Sequence, residues 1–197
     1  DIFYHHRPDP ETPLEETMGA LSDIVRQGKA LYAGISNYGP EETEKAVEIL
    51  RRNGTPCLIH QVRYNMFERA PEEGLFSVLR KEGVGCICFS PLAQGALTGK
   101  YLKGISSGTR AAKAGSTLKE RYLSPEKLHI VEQLSEVAEE RGQTMAQLAL
   151  SWVLRRREVT SVLVGASRPE QLKENLAVIS ASPITEDEEI RITGILE

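Results

Sequence analysis

The feature that most constrains this chain is an alternation, in which short apolar runs and longer amphipathic stretches follow one another from end to end. The runs at residues 1–6 (DIFYHH), 31–37 (LYAGISN), 57–64 (CLIHQVRY), 85–90 (GCICFS) and 161–167 (SVLVGAS) are bounded by Gly, Pro or polar residues. Runs of that kind suit strands buried on both faces. The stretches between them predict helices. Residues 14–27 put Leu14, Met18, Leu21 and Val25 on one face, and residues 41–52 follow Pro40 and carry Val47 and Leu50. Residues 74–82 predict a shorter helix, and residues 125–141 and 144–156 a pair split at Gly142. Residues 169–179 follow the last strand, and residues 185–196 close the chain with acidic residues in the first turn.

Strands alternating with helices imply a parallel sheet joined by right-handed crossovers. Two architectures meet that description. An open, doubly wound sheet that binds a dinucleotide should carry G-x-G-x-x-G after its first strand, and no such motif is present. A (β/α)8 barrel should instead place polar residues at the C-terminal end of strand after strand. Here the runs end at His6, at Ser36 and Asn37, near Gln61 and Asn65, at Ser90, and at Gly165, Ala166 and Ser167. The pattern selects the (β/α)8 TIM barrel. A whole barrel needs eight strands and typically about 250 residues. The expectation is therefore that residues 1–197 form the C-terminal part of a single barrel domain, five βα units, with the N-terminal units outside this sequence.

Composition narrows the function classes. A net charge of −4 offers no basic field for nucleic-acid phosphates. No apolar run approaches the roughly 20 residues of a membrane span, and the first residues do not read as a signal peptide. Three cysteines, Cys57, Cys86 and Cys88, fall within strand runs without zinc spacing. They predict buried thiols of a cytoplasmic protein rather than a disulfide framework.

At the strand ends the sequence resembles the aldo-keto reductase superfamily. Within it, the likeness is to the branch of bacterial L-glyceraldehyde-3-phosphate reductases and voltage-gated potassium channel β subunits. The stretches that carry it are DIFYHHRPDPETPLEET, GKALYAGISNY, LIHQVRYNMFER, GVGCICFSPLAQGALTGKY and SVLVGASRPEQLKEN, in that order along nearly the whole chain. The resemblance implies an aldo-keto reductase barrel that reduces a small aldehyde or ketone by hydride transfer from NADPH. Such a reaction needs a held nicotinamide, a proton donor for the developing alkoxide, and donors that polarise the carbonyl. In the family the proton donor is a Tyr helped by a Lys and an Asp, and a His at the end of the fourth strand completes the set. His6 matches that histidine; His5, its neighbour, must point to the other face. The channel subunits carry Asn at this place, so His6 leans towards the reductases. The family's Tyr, Lys and Asp ride on the first three units and have no counterpart here, and Tyr4, Tyr32 and Tyr64 are no substitutes.

The resemblance also assigns cofactor contacts. Ser36, Asn37 and Gln61 match residues that fix the nicotinamide carboxamide, and Phe89 matches a ring placed against the nicotinamide. The long Gly- and Ser-rich segment 90–124 resembles the loop over the cofactor pyrophosphate. In it Ser90, Leu92, Gln94 and Lys100 fall near the phosphates and Arg110 near the adenosine end, while Pro91, beside Ser90, fits the strand mouth next to Phe89 among the cofactor contacts. Gly165, Ser167 and Gln171 match the 2′-phosphate and adenine region, and Glu174 and Asn175 match residues at the adenine amino group. Many reductases outside this branch have a Lys and an Arg where this chain has Gly165 and Gln171, so the positive charge for NADP(H) falls to Arg168 and Arg110. No metal is implied. A second reading stays open, a regulatory subunit that senses NADPH without turnover; relatives in the branch often assemble as homo-oligomers.

Overall fold

A computed structural model of the chain describes residues 1–107, 109–113 and 115–197. Its five strands form one parallel sheet in chain order. They are β1 (Ile2–His5), β2 (Tyr32–Ser36), β3 (Cys57–Arg63), β4 (Gly85–Phe89) and β5 (Val159–Val162). By its contacts the chain divides into two compact units. The first comprises Asp1–Arg63, Arg69–Phe89 and Arg157–Ser161, and so holds the sheet up to the last residue of β5.

In this first unit α1 (Leu14–Arg26), α2 (Pro40–Arg52) and α3 (Leu75–Glu82) connect successive strands from β1 to β4. Pro40 opens α2, and the Glu42 carboxylate accepts the Gly39 N–H at 3.0 Å, closing the helix start. Strand alternation sorts the side chains into two sets. Ala33, Ile35, His60, Cys86 and Cys88 are wholly buried, as are Met18 of α1 and Ala46 and Leu50 of α2. The register pairs Tyr4 with Gly34 and Ser36 with Gln61, so these lie on the opposite face. A Cβ on Gly34 would stand 2.8 Å from the Tyr4 ring and 3.2 Å from Ile59 Cγ2, so only glycine lets that ring lie down on the sheet.

The second unit comprises Tyr64–Glu68, Ser90–Arg156 and Val162–Glu197. It is helical: α4 (Leu118–Tyr122), α5 (Pro125–Glu140), α6 (Met145–Leu154), α7 (Pro169–Leu176) and α8 (Glu186–Leu196). All of α6 except Gln147 and Leu154 is buried, which makes it the core of the unit. Tyr64 stacks on Trp152 at 5.1 Å, and the Arg155 guanidinium covers the same indole at 3.9 Å. Thr144 and Thr185 cap α6 and α8 in reciprocal boxes with Gln147 and Glu188. No helix among the described residues is long and apolar enough to cross a membrane.

The structure corrects the sequence expectations at several ends. The last strand is Val159–Val162, not residues 161–167. Thr160 Oγ1 accepts the Cys86 N–H at 3.2 Å and ties this strand to β4, whereas Gly165, Ala166 and Ser167 are exposed and irregular. β1 stops at His5 and leaves His6 just beyond the strand. α7 ends at Leu176 and tightens into a 3-10 turn over Ala177–Ser180. The segment 90–124 contains α4, a helix too short for periodicity to reveal.

Candidate cofactor and active site

In the first unit, Asn37 joins three strand ends. Its backbone sits at φ 60°, a left-handed conformation that Asn tolerates better than most residues. Its N–H donates to the Gln61 carbonyl at 3.0 Å. Its Nδ2 donates to the His6 carbonyl and to Ser36 Oγ, each at 2.9 Å. One residue thus fixes His6 beyond β1, Ser36 at the end of β2 and Gln61 in β3. Ser36 is buried, Gln61 half-buried, and His6 and Asn37 exposed.

A second pair supports the same backbone. Tyr38, next to Asn37, is buried, and its hydroxyl lies 2.6 Å from His5 Nδ1, with the rings edge to face. Burial pushes the Tyr38 phenol up to about 12, and burial also lowers the His5 pKa. The phenol oxygen and His5 Nδ1 share this one hydrogen bond, whose donor is set by the His5 tautomer. His5 is therefore committed to Tyr38, and His6 is the exposed member of the pair. Phe89, at the end of β4, is the register partner of Arg63, whose guanidinium lies 5.3 Å from the ring.

In the second unit, the residues after β4 form a loop of left-handed backbone. Ser90, Ala93 and Gln94 have φ of 55°, 46° and 57°, and Gly95 has 99°. The Ala93 N–H donates to the Ser90 carbonyl at 2.9 Å, and the Gly95 N–H to the Leu92 carbonyl at 2.7 Å. Pro91 is buried, and Leu92 and Gln94 are half-buried. The exposed Lys100 brings its ammonium back over this loop: a Cβ on Gly95 would stand 2.7 Å from Lys100 Nζ. The same ammonium lies 4.9 Å from the Tyr101 ring, and among the described residues it has no carboxylate partner. A cation over a loop of turned backbone is the chemistry that a phosphate needs. The Arg110 side chain lies outside the described residues.

At the start of α7, Gln171 Oε1 accepts from the Ser167 N–H at 2.9 Å and from Ser167 Oγ at 3.1 Å. Gly165, Ser167 and Arg168 are exposed, and Arg168 is the helix N-cap. Glu174 is exposed, with its carbonyl accepting from Gln147 Nε2 at 2.9 Å, while Asn175 is buried. The thiols take no part. Burial pushes Cys57 up to about 11, and the Cys86 sulfur 3.9 Å away raises Cys88, with burial adding to it. Among the described residues no group of His, Cys, Asp and Glu could hold a metal ion.

A model of the aldo/keto reductase family matches residues 1–197. The chain is 51% identical over 184 residues to the L-glyceraldehyde 3-phosphate reductase of Escherichia coli strain K12, covering 91% of this chain and 53% of that protein. The same figures hold for the L-glyceraldehyde 3-phosphate reductase of Escherichia coli O157:H7. The chain thus spans about half the length of the curated relatives it matches. A crystal structure of a thermostable aldo-keto reductase in complex with the inhibitor epalrestat matches with a TM-score of 0.74 at 28% identity. That match covers 99% of this chain and 59% of the other, so the parallel sheet is a portion of an aldo-keto reductase TIM-barrel fold. The chain belongs to the aldo/keto reductase family.

Proposed function

We propose that the protein to which these residues belong reduces small aldehydes or ketones, with NADPH as hydride donor. The observation that carries this reading is the Asn37 junction. With Nδ2 engaged by His6 and Ser36, the Oδ1 oxygen is the end of Asn37 that serves as acceptor for an amide N–H. Ser36 Oγ and the Gln61 amide complete a donor and acceptor set suited to a carboxamide. Phe89 supplies a ring edge or face for the nicotinamide, and NADPH would supply the hydride. His6, exposed beside the junction, would donate to the substrate carbonyl and steady the developing alkoxide. The family's Tyr, Lys and Asp, assigned to proton transfer, have no counterpart in this sequence, so the activity proposed is that of the whole protein.

For the rest of the cofactor, Ser90, Pro91, Leu92, Gln94 and Lys100 would line the pyrophosphate, and Gly165, Ser167, Gln171, Glu174 and Asn175 the adenosine. The preference for NADPH over NADH would rest on Arg168 at the N-terminus of α7, with Arg110. Glyceraldehyde 3-phosphate is the substrate we favour, from the likeness to the Escherichia coli reductases. Unpaired, buried thiols fit a reducing compartment, the cytoplasm.

The test is NADPH oxidation by the full-length protein with glyceraldehyde 3-phosphate or methylglyoxal, alongside His6→Asn. We expect the substitution to lower kcat about a hundredfold, by removing one carbonyl donor, with NADPH affinity nearly unchanged. NADPH binding without turnover in the unsubstituted protein would instead favour a sensor subunit, and no NADPH binding would remove both readings.

A further inference from the structure

Two places in the long segment after β4, one at each end, are tied to a single turn. That turn is residues 65–68, closed by the Asn65 N–H to the Glu68 carbonyl at 3.3 Å and the Glu68 N–H to the Asn65 carbonyl at 3.0 Å. Asn65 is wholly buried. Its Oδ1 accepts the Phe67 N–H at 2.9 Å, and its Nδ2 donates to Glu68 Oε2 at 2.9 Å and to the Ser90 carbonyl at 3.1 Å. Ser90, at φ 55°, is the residue with which the segment begins.

Glu68 reaches the other end. Its Oε1 accepts from the Arg121 guanidinium and its Oε2 from the Tyr122 hydroxyl, both in α4. Tyr122 is buried, and Phe67 stacks on it at 6.3 Å. Lys127 Nζ donates to the Arg121 carbonyl at 2.6 Å and lies 5.4 Å from the Phe67 ring. Asn65 and Glu68, joined to each other, therefore hold two points about 30 residues apart in sequence, a separation whose closure entropy the bonds must offset. The Glu68 contacts to Arg121 are charge-assisted, the stronger kind of hydrogen bond.

Resting on the reading of this segment as the pyrophosphate loop, we propose that Asn65 and Glu68 are positioning residues that latch both feet of the loop and thereby set the rate at which NADPH leaves. Their role is exerted through Ser90 and α4. A loop with one foot released samples open arrangements more often, and a cofactor held beneath it departs faster.

The test uses the full-length protein with Glu68→Ala, Glu68→Gln and Arg121→Met. NADPH dissociation is followed by stopped-flow fluorescence, and trypsin cleavage at Lys103 and Lys119 is followed without cofactor. Glu68→Ala is expected to raise the NADPH dissociation rate and its KM about tenfold, with the carbonyl KM unchanged. Its loop should also be cut faster. Glu68→Gln, which keeps one oxygen for the Tyr122 hydroxyl but loses the charged contact to Arg121, should fall between Glu68→Ala and the unsubstituted protein in both readouts. Unchanged release and unchanged cleavage in folded Glu68→Ala would overturn the latch. If that variant does not fold, Arg121→Met carries the same two readouts with the same expected directions. Failure of the unsubstituted protein to bind NADPH would overturn the cofactor reading and the release role with it, whereas the cleavage rates would still decide whether the loop is latched.

Discussion

At His60 the fold makes a choice that a titration can read. The ring is wholly buried, Nε2 lies 3.2 Å from the Tyr38 carbonyl, and Nδ1 has no hydrogen-bond partner. Nε2 must carry a proton to donate to that carbonyl, and burial keeps the ring neutral, which leaves Nδ1 as the bare nitrogen. Burial lowers its pKa from 6.5 to about 4. The depressed value means that this stabilising contribution is whole above pH 6.5 and is lost as pH falls from there towards about 4. It amounts to about 3 kcal/mol across the window. We therefore expect urea midpoints to drop between those pH values, and His60→Gln to flatten that part of the profile whatever it does to stability at neutral pH. Identical slopes in the two proteins would refute the assignment. Since Tyr38 follows Asn37 directly, the same buried histidine helps to seat the junction residue. None of this was legible in the sequence, where His60 was one letter inside an apolar run. His6 was singled out by the resemblance, and it stands exposed just beyond β1, whereas the commitment of His5 to Tyr38 depends on a contact 33 residues away in sequence.

At the scale of elements, strands and helices were legible where periodicity or capping chemistry is strong. The split at Gly142 and the Pro40 helix start both act through nearest neighbours, so the sequence carries them openly. The end of β5 was misjudged because Leu163 and Val164 have strand-like side chains, whereas pairing with β4, a long-range property, stops the strand at Val162. The loop feet were missed for a similar reason: Asn65 and Glu68 look like ordinary turn residues until Ser90, Arg121 and Tyr122 are brought to them. The β1–β2 pairing gives a test at this scale. Gly34→Ala should destabilise the protein by about 1–3 kcal/mol, since the new methyl meets the Tyr4 ring. Combining it with Tyr4→Ala should cost less than the two single changes added together. Strict additivity would show that the ring does not rest on Gly34.

At the scale of the whole molecule, the two units differ in the chemistry that they offer. The first offers the amide and hydroxyl set of Ser36, Asn37 and Gln61 with His6 and Phe89; the second offers Lys100 over turned backbone and the Ser167–Gln171 start of α7. The barrel class was legible from polar strand ends, and the family match bears it out; the assignment of those ends to one cofactor came from resemblance. The central claim is hydride transfer to a carbonyl, and isotope transfer tests it most directly. The full-length protein would be given NADPH deuterated at the transferring nicotinamide C4 position together with glyceraldehyde 3-phosphate, and the product examined by mass spectrometry. The account predicts an alcohol with deuterium on the former carbonyl carbon, and its near-disappearance with His6→Asn. An alcohol formed without the label, or no alcohol from a protein that binds NADPH, would contradict it.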